Sequence, residues 1–402
     1  MSNTLPPNKR LLVVQYSGDY REAYQRLRNG QGETYMGHKY VIESLDRIGS
    51  LIGEAVVLHC YSKTIYDESL TPNLRVVSTG FEPEQSSKAL VKFIEHIRPD
   101  YLVVFSPFKT ILSWAVSSQI KTLAIFADSF RQKNPKQYFQ NYRLKNILNS
   151  PGIDWVGNHG LNACNSLQNI GVNPGKIIPW DFPHAVSPHN YPAKHLRDCV
   201  DKWTLTYVGS VEKSKGVGDI IQTIANLKSR GYSSFLKVVG DGNIDYFRHL
   251  SQKLGVNNSI DFLGKVSNRE IVDPLMRQSD LIIVPSHHSY PEGCPFTIYE
   301  ALTSRTPIVA SNHPMILGNL KNKVNAMIFP EQDISALSDS IVEVMTDKTL
   351  YHQISLASES AWENLQLPVK WETLIESWLD DTGIGNQYLK GHCLNSGLYR
   401  RS

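Results

Sequence analysis

From residue 204 onward, short β-branched runs alternate with stretches of helical periodicity, and most of the runs stop at glycine or at a Pro-Ser step. "TLTYVGS" (204–210) reads as a strand halted at Gly209. "GVGDIIQTIANLKSRG" (216–231) then sets Ile220, Ile221, Ile224 and Leu227 at helical spacing and closes on glycine. "SFLKVVGDG" is a strand ending at Gly240 and Gly242, "DYFRHLSQKLG" a helix, and "SIDFLGKV" a strand again. "NREIVDPLMRQS" is helical, "DLIIVPS" a buried strand, "PFTIYEALTS" a helix and "TPIVAS" another strand. Parallel strands need a crossover of a dozen or so residues, and here a helix fills each gap. This alternation predicts a doubly wound parallel sheet, which binds ligands at the loops following its strands.

The first half repeats the pattern more loosely, with strand candidates at 10–17, 54–60, 74–79, 101–106, 121–128 and 154–160. A chain of 402 residues is long for one core and comfortable for two. The fold class expected is therefore α/β, with two Rossmann-like domains facing a central cleft. The expected boundaries are a first domain over 1–185, a linker over 186–200 rich in Pro and His, and a second domain over 201–350. Two helices broken at Pro368 follow over 351–379, and 380–402 reads as a loose tail. We find no internal repeat and no low-complexity tract.

Composition excludes several classes. A net charge of +3 is too small to argue for nucleic acid as a partner. Five scattered cysteines (Cys60, Cys164, Cys199, Cys294, Cys393) with no Cys-x-x-Cys fit a reducing cytosol and neither a disulfide framework nor a structural zinc site. No run approaches the ~18 apolar residues of a membrane span, and the N-terminus shows no signal peptide. The expected location is cytoplasmic, with peripheral contact to the inner membrane face left open.

The stretch "YPEGCPFTIYEAL" (290–302) places Glu292 and Glu300 eight residues apart around a Gly-Cys-Pro step. Pro295 suits the first position of a helix, which assigns the cap to Cys294, a poor cap residue. The donors of Phe296 and Thr297 are then left for an anion such as phosphate. A plainer account stays open at this stage: a solvated Glu292, a surface Glu300, and Pro295 as punctuation.

Taken together, "YVGSVEKSKGVGDII", "VVGDG", "DFLGKVSNREI", "SDLIIVPS", "PEGCPFTIYEAL" and "TPIVAS" resemble, in order and spacing, glycosyltransferase family 4, the retaining GT-B enzymes. The resemblance covers roughly 200–375, and the glutamate pair matches that family's E-x7-E motif. It implies a transferase moving a hexose from a nucleoside diphosphate sugar to a hydroxyl of a glycan or lipid-linked acceptor, in bacterial polysaccharide or glycolipid synthesis. It implies no cofactor and no metal, and the chain has no Asp-x-Asp metal motif. By the same resemblance Glu300 meets the ribose hydroxyls, Glu292 the sugar hydroxyls, and Lys215 the diphosphate. Backbone from Gly293, Cys294, Pro295, Phe296 and Thr297 faces sugar and diphosphate. Gly264, Lys265 and Val266 frame the base, and Gly209, Ser210, Gly240 and Gly242 complete the donor loops. "WETLIESWL" corresponds to a C-terminal helix that returns to the first domain.

Two positions depart from the family pattern. Ser210 stands where an arginine is usual, with Lys213 nearby as a substitute or a merely solvated lysine. Ala127 and Asp128 stand where a histidine is usual, so Asp128 is either a catalytic group or a loop aspartate. Two other readings stay open: a nucleotide-sugar 2-epimerase on the same fold and, from Ser210 and Ala127, a sugar-nucleotide-binding protein without catalysis. Gly30 and Gly32 either approach the donor phosphate or belong to a flexible loop. His159, His287 and His288 sit at predicted strand ends without carboxylate or cysteine partners at ligand spacing, which argues against metal. "RQKNPKQYFQNYRLKN" (131–146) is basic with interleaved aromatics: a solvated helix face, or a patch for anionic lipid.

Overall fold

The computed structural model describes residues 5, 8–16, 18–33, 37–62, 64–81, 83–198, 201–266 and 269–399; Cys199 and residues 267–268 lie outside them. The chain forms two compact units, Met1–Pro183 with Leu367–Ser402, and His184–Gln366.

The first unit carries β1 (Lys9–Gln15), β2 (Gly53–His59), β3 (Tyr66–Ser69), β4 (Leu74–Ser78), β5 (Tyr101–Phe105), β6 (Lys121–Phe126), β7 (Trp155–His159) and β8 (Ile177–Trp180). They form one sheet in the order β3-β4-β2-β1-β5-β6-β7-β8. Every pairing is parallel except β3 with β4. Central strands such as β5 are buried at every residue, because helices cover both faces. Sequence periodicity missed β3 and β8. The first is an edge strand whose Asp67, Glu68 and Ser69 face solvent, and the second has four residues and contains Pro179.

The second unit carries β9 (Trp203–Val208), β10 (Ser234–Val239), β11 (Ile260–Gly264), β12 (Leu281–Val284), β13 (Ile308–Ser311) and β14 (Met327–Phe329). Their order is β11-β10-β9-β12-β13-β14, parallel throughout. The chain leaves β9 toward one edge and returns at β12 to build the other. β9 and β12 lie side by side, with Leu205 opposite Leu281 and Thr206 opposite Ile282. Val217, Ile220, Ile221, Ile224 and Leu227 of the helix Val217–Ser229 are buried in this unit's core.

Two expectations about the connecting segments need correction. The described part of 186–200 is packed rather than free. Lys194 donates to Arg277 O (3.0 Å) and Ser279 O, its amide donates to Ser355 Oγ (2.7 Å), and burial lowers its pKa to about 8. The supposed loose tail contains the helix Ile384–Gly391, with Leu389 and Cys393 buried. Asp380 accepts from Gly385 N (2.7 Å), and Leu394 N donates to Ile177 O (2.8 Å). The helix Trp371–Leu379 belongs to the first unit, where Trp378 Nε1 donates to Asp154 (2.8 Å) and Trp371 N to Asp181 O (3.0 Å). Among the described residues no helix is long and apolar enough to cross a membrane.

Candidate functional site

The connections leave β9 and β12 in opposite directions, which makes the loops after these two strands the topological switch point of the second unit's sheet, where open parallel sheets bind ligands. The β9 loop runs through Gly209 and Ser210 into a 3-10 turn, Lys213–Lys215, and then the helix Val217–Ser229. The β12 loop runs from Pro285 to the helix Phe296–Thr303. The two loops are held in contact. Gly216 has φ +75°, and a Cβ there would lie 2.2 Å from Pro285 O. His287 N donates to Ser214 O (2.9 Å), and the His287 ring pairs with Asp219 (2.6 Å). Burial pushes the Asp219 carboxyl up, and His287 works against that shift.

The glycines of the β9 and β10 loops have packing roles. Gly209 N donates to Val239 O (3.0 Å), and Gly240 N donates to Gly264 O (2.9 Å), so the Gly240 amide is already committed within the protein. At φ +145°, a Cβ on Gly240 would sit 1.8 Å from Gly209 O, inside any tolerable contact. Gly240→Ala is therefore expected to cost roughly 2 to 4 kcal/mol, combining backbone strain and overpacking. A shift in the urea midpoint at constant slope measures it. A stability equal to the parent chain's would mean the two loops do not approach this closely.

Glu292 is buried, and its Oε1 accepts from Lys215 Nζ (2.5 Å) and from Ser286 Oγ (2.7 Å). Lys215 Nζ also lies over the Tyr290 ring, 4.1 Å from its centre. Ser311 Oγ donates to Ser286 O (2.6 Å), tying this cluster to the end of β13. Tyr207 OH donates to Ser210 O (2.6 Å); burial, with Glu292 adding to it, pushes the Tyr207 hydroxyl well above its usual pKa. Lys215 and Glu292, assigned from sequence to two parts of one ligand, thus meet each other. Lys213 instead lies over the Tyr246 ring at 4.4 Å, and Ser210 is exposed.

The helix cap differs from expectation. The helix begins at Phe296, so Pro295 (φ −63°, ψ 121°) is the cap and not the first helical residue. The ψ near 120° puts Pro295 in extended backbone, and proline offers no side-chain acceptor to the first turn. Cys294 is buried one residue earlier. Thr297 Oγ1 donates to Val208 O (2.9 Å), which turns one helix face toward the end of β9. Glu300, three residues on, shares that face and is half-buried. Gly264 is a left-handed turn residue (φ +70°), followed by exposed Lys265 and half-buried Val266.

The candidates in the first unit separate into distinct roles. Asp128 lies just beyond β6, with its N–H donating to Asn158 Oδ1 (3.3 Å), and burial raises its carboxyl to about 6. Gly30 is a left-handed residue (φ +71°). Its N–H donates to Leu27 O (3.1 Å) at the end of the helix Tyr20–Arg28, and Gly32 follows with φ +57°. The three histidines do have carboxylate partners, brought together by folding and not by sequence spacing. His159 pairs with the buried Asp181 (3.1 Å), His287 with Asp219, and His288 with Glu331 (2.9 Å). One mixed group that sequence did not suggest, His189, Glu359 and Glu363, brings ligand atoms within 4.8 Å of one another. Glu359 also holds Arg305 (2.6 Å), so the group reads as an exposed ion-pair network.

Residues 194–360 match the family described as glycosyl transferases group 1. The Staphylococcus aureus protein CapJ is 32% identical over 127 residues, covering 32% of this chain and 31% of that protein. The S. aureus capsular polysaccharide biosynthesis glycosyltransferase CapM is 25% identical over 186 residues, covering 43% of this chain and 45% of that protein. The chain thus spans a third to a half of the length of these curated relatives. Among solved structures, Anabaena HepE in complex with UDP and glucose superimposes with a TM-score of 0.60 at 17% identity, covering 95% of this chain and 98% of that one. That level of identity supports the fold alone, the two-sheet GT-B architecture. Residues 194–360, the part that matches the glycosyl transferases group 1 family, hold β9 to β14 and the Lys215–Glu292 cluster.

Proposed function

We propose that this protein is a glycosyltransferase that moves a hexose from a nucleoside diphosphate sugar to a hydroxyl of a glycan or lipid-linked acceptor, in bacterial polysaccharide or glycolipid synthesis. The observation that carries the reading is the cluster above β9 and β12, where Lys215, Glu292, Ser286 and the start of the helix Phe296–Thr303 converge. A diphosphate bound at these loops offers Lys215 a second anion, and Lys215 can exchange Glu292 for it. Glu292 is then released to accept from sugar hydroxyls. The lysine and the helix N-terminus stabilise charge that grows on the departing diphosphate, which is electrostatic and not covalent catalysis. Glu300 accepts from the ribose hydroxyls, while Asp128, protonated at mildly acidic pH, is the candidate acid–base group of the first unit. Retention of anomeric configuration follows the family 4 resemblance. CapM, by its name a capsular polysaccharide biosynthesis glycosyltransferase, supports the pathway class.

The deciding experiment incubates the protein with a panel of labelled sugar nucleotides, with and without glycan acceptors. Transfer or slow donor hydrolysis is the expected result. An epimerised donor, or binding without turnover, would replace the proposal. EDTA is expected to leave the rate unchanged, since Lys215 and backbone amides serve the diphosphate. Loss of activity on chelation with recovery by Mn²⁺ would contradict this. An α-linked donor yielding a β-linked product by proton NMR would remove retention.

A further inference from the structure

The helix Pro135–Leu148 of the first unit is apolar on two sides. Its inner side places Leu144 and Leu148 in the core, and Asn141 Nδ2 donates to Arg131 O (2.7 Å), fastening the preceding loop. Its outer side exposes Tyr138 (59%), Phe139 (60%) and Tyr142 (48%). At about 100° per residue these three rings fall within one stripe about 100° wide. Lys145 borders the stripe on one flank, and Arg143 and Lys136 border it on the other. Arg143 lies over Phe139 (5.9 Å) and Lys145 over Tyr142 (5.0 Å). No acidic residue occurs between Ser129 and Ile153, while Arg131, Lys133, Lys136, Arg143 and Lys145 all do. A single exposed ring is ordinary, but three together on a helix already satisfied on its other side call for a partner.

We propose that this face docks the protein on an anionic lipid bilayer. Charge selects the occupant. A second copy meeting the same face would set five cations against five, with no carboxylate in the segment to offset them. An anionic membrane supplies the opposite charge, and aromatic rings bordered by Lys and Arg match the boundary between headgroups and acyl chains. Pro135 starts the helix and Asn134 caps it by accepting from Gln137 N (2.9 Å), so the face is preformed. The helix lies on the surface and does not insert across it. Docking does not rest on the transfer reaction, and it is read without donor or acceptor.

The test is co-sedimentation of the full chain with vesicles of phosphatidylcholine alone, or of equal parts phosphatidylcholine and phosphatidylglycerol, at low and high salt. Binding is expected only to the anionic vesicles and weakens as salt rises. Each basic residue near the surface contributes roughly fivefold, so Lys136→Glu, Arg143→Glu and Lys145→Glu combined should lower partitioning by roughly a hundredfold or more. Tyr138→Ser, Phe139→Ser and Tyr142→Ser combined should lower it at least about tenfold and keep the salt dependence. Lys253→Glu, an exposed lysine of the second unit, should leave it unchanged. Thermal unfolding of each variant checks that it folds, and the charge-reversed variant decides if the aromatic one does not. Binding to no vesicle, equal binding to neutral vesicles, or charge reversal without effect would overturn the proposal. A dimer abolished by the aromatic substitutions, with no vesicle binding, would overturn it in favour of self-association.

Discussion

Lys215→Ala is expected to lower kcat/KM for the sugar nucleotide by roughly ten- to a hundredfold, the effect of losing one charge-assisted contact worth about 1.5 to 3 kcal/mol. The size follows from the loop around it. Ser210 supplies a hydroxyl where the family usually has an arginine, and the Lys213 side chain lies over Tyr246. Lys215 is thus the cation the β9 loop brings to the cluster. The loss should appear in Kd for the nucleoside diphosphate, because the diphosphate is charged in the ground state, and in kcat, because that charge grows as the glycosidic bond breaks. Lys213→Ala provides the contrast and should have little effect. If Lys213→Ala is severe while Lys215→Ala is silent, the wrong lysine has been assigned to the diphosphate.

Glu292→Gln should split the two constants. With a neutral amide in place of the carboxylate, Lys215 no longer holds an ion pair at 2.5 Å that the diphosphate must displace. Nucleoside diphosphate binding should stay level or tighten. Turnover should fall by roughly ten- to a thousandfold, because a carboxylate positioning the sugar matters most as the glycosidic bond breaks. Calorimetric titration with the nucleoside diphosphate and kinetics with the full donor read the two effects separately. Weaker nucleotide binding in Glu292→Gln would mean that Glu292 helps to hold Lys215 in a productive position rather than competing for it. Glu300→Ala offers the opposite signature, weaker nucleotide binding with kcat largely kept, as suits a group that meets ribose and not the reacting carbon.

Much of the second unit was legible because its strands are buried on both faces. "LIIV" and "IVAS" read as unbroken apolar runs, and the helices between them carry clean periodicity. β14 was missed because three residues hold no period, and β3 because its exposed edge shows no alternation. The helix Ile384–Gly391 was missed for a related reason. Its eight residues include two glycines, and its place is secured by Asp380 and the preceding helix more than by its own propensity. In the candidate site, the spacing of Glu292 and Glu300 and the loop lysine stood out in sequence. The shift of the cap from Cys294 to Pro295 did not, because it depends on one ψ angle.

The sequence by itself determined the alternation of strand and helix, the parallel sheets it imposes, and the residue types gathered at the strand ends. Those are local properties, set by hydrophobic period, turn chemistry and cap preference. Tertiary structure alone decided which of those residues meet. Lys215 and Glu292 are separated by 77 positions and come within 2.5 Å only because β9 and β12 are neighbours. His159 with Asp181, His287 with Asp219 and His288 with Glu331 are paired in the same way, by strand order and not by spacing. The glycine at 240 reads in sequence as the end of a strand and part of a donor loop, yet its missing Cβ is required by a carbonyl 31 residues earlier in the chain. Periodicity reports which face of an element is buried, whereas partner identity depends on the order in which the sheet was wound.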